Sequence, residues 1–340
     1  MNTLGAHPAS ATPARRPGSV RRTTTHDSLR PDGLLGPVTV VARGRDLRTA
    51  LDGASTILGT ARLDLQVDHP ERLVRRITGD PSHPGLAALV GMAASAGFRK
   101  AVDDAMPGER VSRSVRFQLL DDLPTALLVG GYAVQVGGAV RSRPKLTLQH
   151  PDLCAGWVAG GTLVSGFAGT GMPPTHTGPE APSVESTDDP LGWHAFDSLP
   201  PHGMRRRRRL DVWKDGEVAL VECFFRDSHM DGDGVETIVH EYTVHATFDP
   251  STRQFLSGEA DIGALPWPEC PNAAASAARL AGAPAEGLRG WVRDTFVGPS
   301  TCTHLNDTLR SLEDVSALVE RVDEGRSRPS DDHHEPYGNR

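Results

Sequence analysis

Three runs of apolar and β-branched residues, 217–225, 235–248 and 254–262, are separated by Gly232-Asp233-Gly234 and by Asp249-Pro250-Ser251. Runs of this length broken by turn formers predict three antiparallel strands in a meander. Downstream the period changes. The Ala-rich stretch 271–280, entered through Cys270-Pro271, and the stretch 285–296 read as helices, and a third helix is expected from Thr303 to around Val322. Strands followed by helices predict an α+β unit, an antiparallel sheet with two or three helices packed on it.

The same order of patterns occurs earlier in the chain, offset by about 185–190 residues. Val20-Arg21-Arg22 through Asp27 answers to Met204-Arg205-Arg206 through Asp211, and Gly44-Arg45-Asp46 answers to Phe225-Arg226-Asp227. Gly97-Phe98-Arg99 answers to Gly287-Leu288-Arg289, and Leu120-Asp121-Asp122 to Leu305-Asn306-Asp307. The expected organisation is two tandem, diverged copies. A disordered leader occupies 1–19, the first copy 20–136, a partly packed linker 137–203, the second copy 204–323 and a disordered tail 324–340.

Composition narrows the function. The chain has 340 residues, with 36 glycines and 27 prolines, many of them in the linker. Its net charge of −7 argues against a general nucleic-acid binder, which needs a basic excess to replace phosphate counterions. The uncharged runs 125–140 and 154–171 are interrupted by glycine and hydroxyl residues, and neither reaches the ~20 apolar residues of a membrane span. The four cysteines are too sparse for a disulfide framework, so a reducing cytoplasm is expected.

The reactive residue types gather in the second copy. Cys270 precedes one helix and Cys302-Thr303-His304 opens another, and free N–H groups at a helix start favour a thiolate or an anion. With Asp227 or His229 of Arg226-Asp227-Ser228-His229, Cys270, Cys302 and His304 form a candidate ligand set for zinc or iron. The plain alternative is that both thiols are buried packing residues and His304 a cap. In His240-Glu241-Tyr242-Thr243-Val244-His245 the spacing is not that of a helical zincin motif. On a strand Glu241 and His245 share one face, opposite His240, Tyr242 and Val244, and are a candidate acid/base or ligand pair; the plainer account is a half-solvated strand with its polar residues outward. The run Arg205 to Arg209 reads as an edge strand protected by charge and paired with acids such as Asp211, in preference to a phosphate site. In the first copy, Phe117 and Leu119 stand where the second has Cys302 and His304.

Through Phe224-Phe225-Arg226-Asp227-Ser228-His229, His240-Glu241-Tyr242, Leu265-Pro266-Trp267-Pro268-Glu269-Cys270-Pro271 and Cys302-Thr303-His304-Leu305-Asn306-Asp307, the second copy resembles a bacterial family of unknown function, DUF2889. The resemblance implies a bacterial, cytoplasmic protein and an association with catabolism of aromatic or acyl compounds. The order Asp227, strand meander, Cys270 at a helix start and late Cys302-Thr303-His304 also resembles iron–sulfur scaffold proteins of the IscU and NifU type. It departs from them in placing His after Cys and in having no cysteine beside Asp227. The function expected from these residues is a metal-dependent hydrolase or lyase acting on a small carboxylated, acyl or aromatic compound, with a non-catalytic metal or iron–sulfur carrier as the alternative.

Overall fold

The computed structural model describes residues 6–139, 151–171 and 174–324. Four strands, β1 (Ser19–Leu29), β2 (Val38–Thr49), β3 (Ser55–Val67) and β4 (Val74–Asp80), precede a 3₁₀ helix (Pro84–Leu89) and helices α1 (Phe98–Ala105), α2 (Pro107–Val111), α3 (Val115–Val129) and α4 (Gly131–Val136). A 3₁₀ turn (Ala155–Trp157) and α5 (Thr162–Thr170) follow. Four more strands come next, β5 (Met204–Asp215), β6 (Val218–Met230), β7 (Glu236–Asp249) and β8 (Gln254–Ala264). A 3₁₀ helix (Cys270–Leu280) then leads to α6 (Leu288–Thr295), α7 (Thr303–Ser311) and α8 (Val315–Glu324). The predicted meander and its turns are present: Asp249 accepts the N–H groups of Ser251 and Thr252, an aspartate turn that reverses the chain from β7 to β8.

The eight strands form one continuous antiparallel sheet, ordered β4-β3-β2-β1-β5-β6-β7-β8, where two separate sheets were expected. The halves join through β1 and β5, paired from Ser19↔Trp213 to Ser28↔Met204. Each half carries the same irregularity. Asp46 pairs with Gly59 and Leu47 with Ile57, passing over Leu58, while Asp227 pairs with His240 and Ser228 with Ile238, passing over Val239. Helices cover one face of the sheet in two apolar cores. Phe225, Tyr242, Val244 and Phe248 pack with Leu280, Leu288 and Leu305, and Val40, Leu63 and Leu65 pack with Leu89, Phe98 and Leu120. No helix of the described residues is long and apolar enough to cross a membrane.

The opposite face is covered too, by chain expected to be leader and linker. Thr12 N–H bonds to the Val184 carbonyl at 3.1 Å, and Trp193 Nε1 donates to Thr12 Oγ1 at 2.7 Å. Arg226, reaching up from β6, donates to the carbonyls of Ala9 and Pro182. Residues 6–18 are therefore part of the packed protein. Their Pro/Arg composition hid this because partners such as Asp189 and Glu241 lie more than 170 positions away. The expected tail from 325 onward lies outside the described residues.

The arginine run required a correction. β5 is a central strand, and all five guanidinium groups are buried. Successive guanidinium groups point to opposite faces of the sheet. Arg206 and Arg208 face the helices, where Arg206 binds Asp227 (2.9 Å) and Asp307 (2.6 Å) and Arg208 binds Asp122 (3.1 Å) and Asp307 (3.3 Å). Arg205, Arg207 and Arg209 face the loop layer and pair with Asp27, Glu236 and Asp211. On β1, Arg22 repeats the arrangement with Asp46 and Asp314, both at 2.7 Å. Charges can sit here because every guanidinium meets a carboxylate in good geometry; unpaired, each would cost several kcal/mol.

Replacing Arg208 by Met leaves the Asp122 carboxylate buried without its cation and is expected to lower unfolding free energy by about 3–5 kcal/mol in urea. The double variant Arg208→Met/Asp122→Leu should recover most of it; equal losses in both would contradict the pairing. A pH effect follows from His194, whose ring is held between Thr23 Oγ1 (2.8 Å) and Thr25 Oγ1 (3.0 Å), beside Trp193. Burial, with Arg45, Arg43 and Arg205 nearby, pushes its pKa down to about 3 from 6.5. The folded protein thus keeps this ring neutral while the unfolded chain protonates it, so its contribution is complete above pH 6.5 and is lost as pH falls toward about 3. His194→Asn should reduce the slope of stability against pH by about 1.4 kcal/mol per unit between about pH 6 and pH 4, measured by urea denaturation; an unchanged slope would contradict it.

Candidate functional site

The bulge in β6 and β7 sets the geometry of the site. Bulges re-aim side chains, and this one turns Asp227 and His240 toward each other on the helix-covered face. α7 begins over the same place. Cys302 is its extended N-cap residue (φ −129°, ψ 129°), and its first turn lays the His304 ring on His240, centroids 3.6 Å apart and 20° from parallel. Phe225 lies parallel beyond His304, at 6.4 Å. One ligand atom from each of Asp227, His240 and His304 falls within 4.8 Å of the others.

Asp227 is held by a two-point ion pair with Arg206, 2.9 Å at each oxygen. Its Oδ2 also lies 3.9 Å from His240 Nδ1, too far for a hydrogen bond. That nitrogen is buried and has no hydrogen-bond partner. Two donors facing each other at this separation, with a third close by, suit an ion held at ~2.0–2.2 Å from each. Burial, with Arg206 nearby, pushes the His304 pKa down to about 3. Burial and the neighbouring His304 lower His240 well below its ordinary value, outweighing the pull of Asp227. Both rings are neutral at pH 7, the form that ligates metals.

The thiols lie alongside. Cys302 Sγ is 3.9 Å from His304 Nδ1. Tyr242, two residues along β7 from His240, is fully buried, and its hydroxyl lacks a hydrogen bond of acceptable geometry although it lies beside Cys302. Cys270 approaches from the start of its 3₁₀ helix. Burial pushes the Cys270 thiol up to about 12, and raises Cys302 and Cys154 as well. The expected thiolates at helix starts are accordingly thiols in the metal-free protein, because desolvation outweighs the helix ends.

Of the residues expected to bind metal, Asp227, His304, Cys302 and Cys270 converge on this region. His229 lies apart, edge-on to Tyr132 at 5.4 Å. The expected acid/base pair is elsewhere: Glu241 is on the loop-covered face, paired with Arg226 and accepting the Ala9 N–H at 2.7 Å. A side chain at Gly263 would collide with that carboxylate and force Glu241 to shift. His245 is 45% exposed, with Nε2 3.2 Å from the Asp261 carboxylate. Four residues of strand put it about 13 Å from Glu241, too far for the two to act on one atom. His240 is the member of the group that the sequence pattern did not single out. Val244, apolar and on the same face of β7, was the signal that His240 and Tyr242 point inward. A cavity of 440 Å³ lined by Arg110, Arg113, Glu313 and Glu320 includes none of these ligands.

Residues 204–318 match the family described as a protein of unknown function, DUF2889, as the sequence resemblance implied. The match spans every residue of the site except Cys154. No curated protein and no solved structure matches the chain, and the likeness to iron–sulfur scaffold proteins is without a structural neighbour.

The buried thiols generate a direct prediction. In metal-free folded protein at pH 8, all four cysteines should react with a disulfide reagent at least about a hundredfold more slowly than in urea, since both burial and the protonated form suppress attack. Rapid reaction of Cys270 or Cys302 in the folded state would contradict the site as described.

Proposed function

We propose that the protein is a metal-dependent enzyme whose centre is a divalent zinc or iron ion held by Asp227, His240 and His304. The observation that carries this reading is the orphaned His240 Nδ1 facing Asp227 Oδ2 across 3.9 Å, with His304 stacked on the same ring. Two histidines and one carboxylate form a ligand set used by catalytic zinc and by non-haem iron, and three protein ligands leave a position for water or substrate. A metal in such a site lowers the pKa of bound water toward ~7, which supports hydrolytic or lyase chemistry at neutral pH. Arg206 fixes the orientation of the Asp227 carboxylate and is itself held by Asp307, which keeps the carboxylate aimed at His240. Tyr242, buried two residues along β7 from His240, offers a hydroxyl for holding a proton. The substrate class, a small carboxylated, acyl or aromatic compound, is taken from the family resemblance, and the four unpaired thiols support a reducing compartment such as the cytoplasm.

We read the chain as a duplication in which only the second copy kept the ligands. The mirrored strand order, the repeated bulge and the matching pairs Arg22–Asp46 and Arg206–Asp227 support this. At the positions of Asp227, His240 and His304 the first copy has Asp46, Gly59 and Leu119, so it keeps the carboxylate that the ion pair needs and lacks both imidazoles.

The test is metal analysis of untagged protein purified without oxygen, alongside Asp227→Asn and His240→Gln. The expected result is retained zinc or iron that both substitutions remove by roughly tenfold or more, with circular dichroism unchanged. Metal-free wild-type protein, or metal retained in both variants, would overturn the reading. A bound metal without turnover on a panel of small esters and acyl compounds would instead favour the carrier.

A further inference from the structure

Strand pairing is interrupted on both sides of His240. With β6 the register of β7 passes over Val239, and with β8 it passes over Gly263, since Glu241 pairs with Ala264 and Tyr242 with Ile262. β8 ends at Ala264, so among the described residues His240 has a strand partner only on β6. Bulges disrupt the ladder and leave a residue unpaired. The ladder alone therefore holds Asp227 and His240 less firmly than residues in the regular part of the sheet.

Residues 7–9 supply further contacts from the opposite face. The His7 N–H donates to the carbonyl of the passed-over Gly263 at 2.8 Å. Two residues on, Ala9 donates its N–H to Glu241 Oε1 at 2.7 Å and accepts at its carbonyl from Arg226 Nη2, also at 2.7 Å. Arg226 Nε donates to the other oxygen of Glu241, and Nη1 to the Pro182 carbonyl at 2.6 Å. Arg226 and Glu241 are buried and stand opposite each other on β6 and β7, and Asp227 and His240 are the next opposed pair. One peptide unit joins each member of the buried ion pair to a candidate ligand. A shift of Arg226 or Glu241 is thus transmitted to Asp227 or His240, whose side chains leave by the other face. Further along, Thr12 binds Val184 and Trp193 and neither member of the ion pair.

We propose that residues 7–9 form a strap that holds the Asp227–His240 pair in register from the far side of the sheet, with Ala9 as its contact and Arg226 and Glu241 as positioning residues. The proposal rests on the reading of Asp227, His240 and His304 as a metal centre and gives that centre a control outside the stretch that matches the family. A docked strap fixes the separation of the two donors, and a released strap lets it vary. A cation that needs its donors at ~2.0–2.2 Å binds the docked form more tightly. Such coupling is reciprocal, so the metal tightens the strap by the factor by which the strap tightens the metal.

The probe is Zn²⁺, its affinity measured on metal-free full-length protein by competition with a chromophoric chelator. Ala9→Pro deletes the N–H that Glu241 accepts, and Gly263→Ala forces Glu241 to shift. Each should weaken zinc binding by roughly tenfold, the scale found for groups that orient ligands, whereas Thr12→Val, which removes the bond to Trp193, should stay within about twofold of wild type. In the reverse direction, saturating zinc should slow hydrogen exchange of the Ala9 N–H by about the same tenfold, a rate that a purely structural strap would leave unmoved. An equal loss in Thr12→Val would show loosening of the whole loop layer and overturn the role given to Ala9. The exchange measurement uses the wild type and does not depend on Gly263→Ala folding. The strap and the centre fail separately: zinc that Asp227→Asn removes but Ala9→Pro leaves at full affinity overturns the strap alone, while wild-type protein that binds no zinc overturns the centre and the strap with it.

Discussion

The structure depends on a seam of buried ion pairs between arginines of the two central strands and carboxylates brought by the helices. β1 and β5 would be an implausible centre for a sheet on hydropathy alone, since between them they contribute Arg22, Arg206 and Arg208 to the helix-covered face. Asp46, Asp122, Asp227, Asp307 and Asp314 answer those charges from β2, β6 and the helices of both halves. Arg208 binds Asp122 of α3 and Asp307 of α7 at once and so ties the helices of one half to those of the other. The arrangement is demanding. Each pair returns its desolvation cost only in good geometry, and this leaves little freedom in how the halves meet.

The candidate site is built on that seam. Arg206 occupies both oxygens of Asp227, so the carboxylate that faces His240 is positioned by the strand pair joining the two halves. Asp307, one turn beyond His304 on α7, takes the other end of the same guanidinium, and the helix carrying the second imidazole is docked by the same charge. Stability and ligand placement therefore share residues. The first half has the same pair in Arg22 and Asp46 but has Gly59 opposite Asp46 where the second has His240 opposite Asp227, and there the pair is structural on its own.

The order of strands and helices was legible because turn chemistry and period changed at the right places: Gly232-Asp233-Gly234 and Asp249-Pro250-Ser251 bound real hairpins, and Cys270-Pro271 opens a real helical segment. The alternation of the arginines was legible; their depth was not. Burial of Arg206 and Arg208 is decided by Asp122 and Asp307, which are distant in sequence and which no local pattern links to them. Asp227, Cys270, Cys302 and His304 were visible as reactive types at element ends. His240 was misjudged because its neighbour Glu241 looked more chemical, although the strand period puts His240 on the face of Val244 and Glu241 on the face that Arg226 neutralises.

Anomalous diffraction at the zinc edge from crystals of zinc-loaded protein shows whether Asp227, His240 and His304 together hold a divalent cation. A peak is expected within about 2.0–2.2 Å of the Asp227 carboxylate and of one nitrogen from each histidine. Zinc found only among the thiols, with the His240 ring still free and Asp227 bound to Arg206 alone, would contradict it.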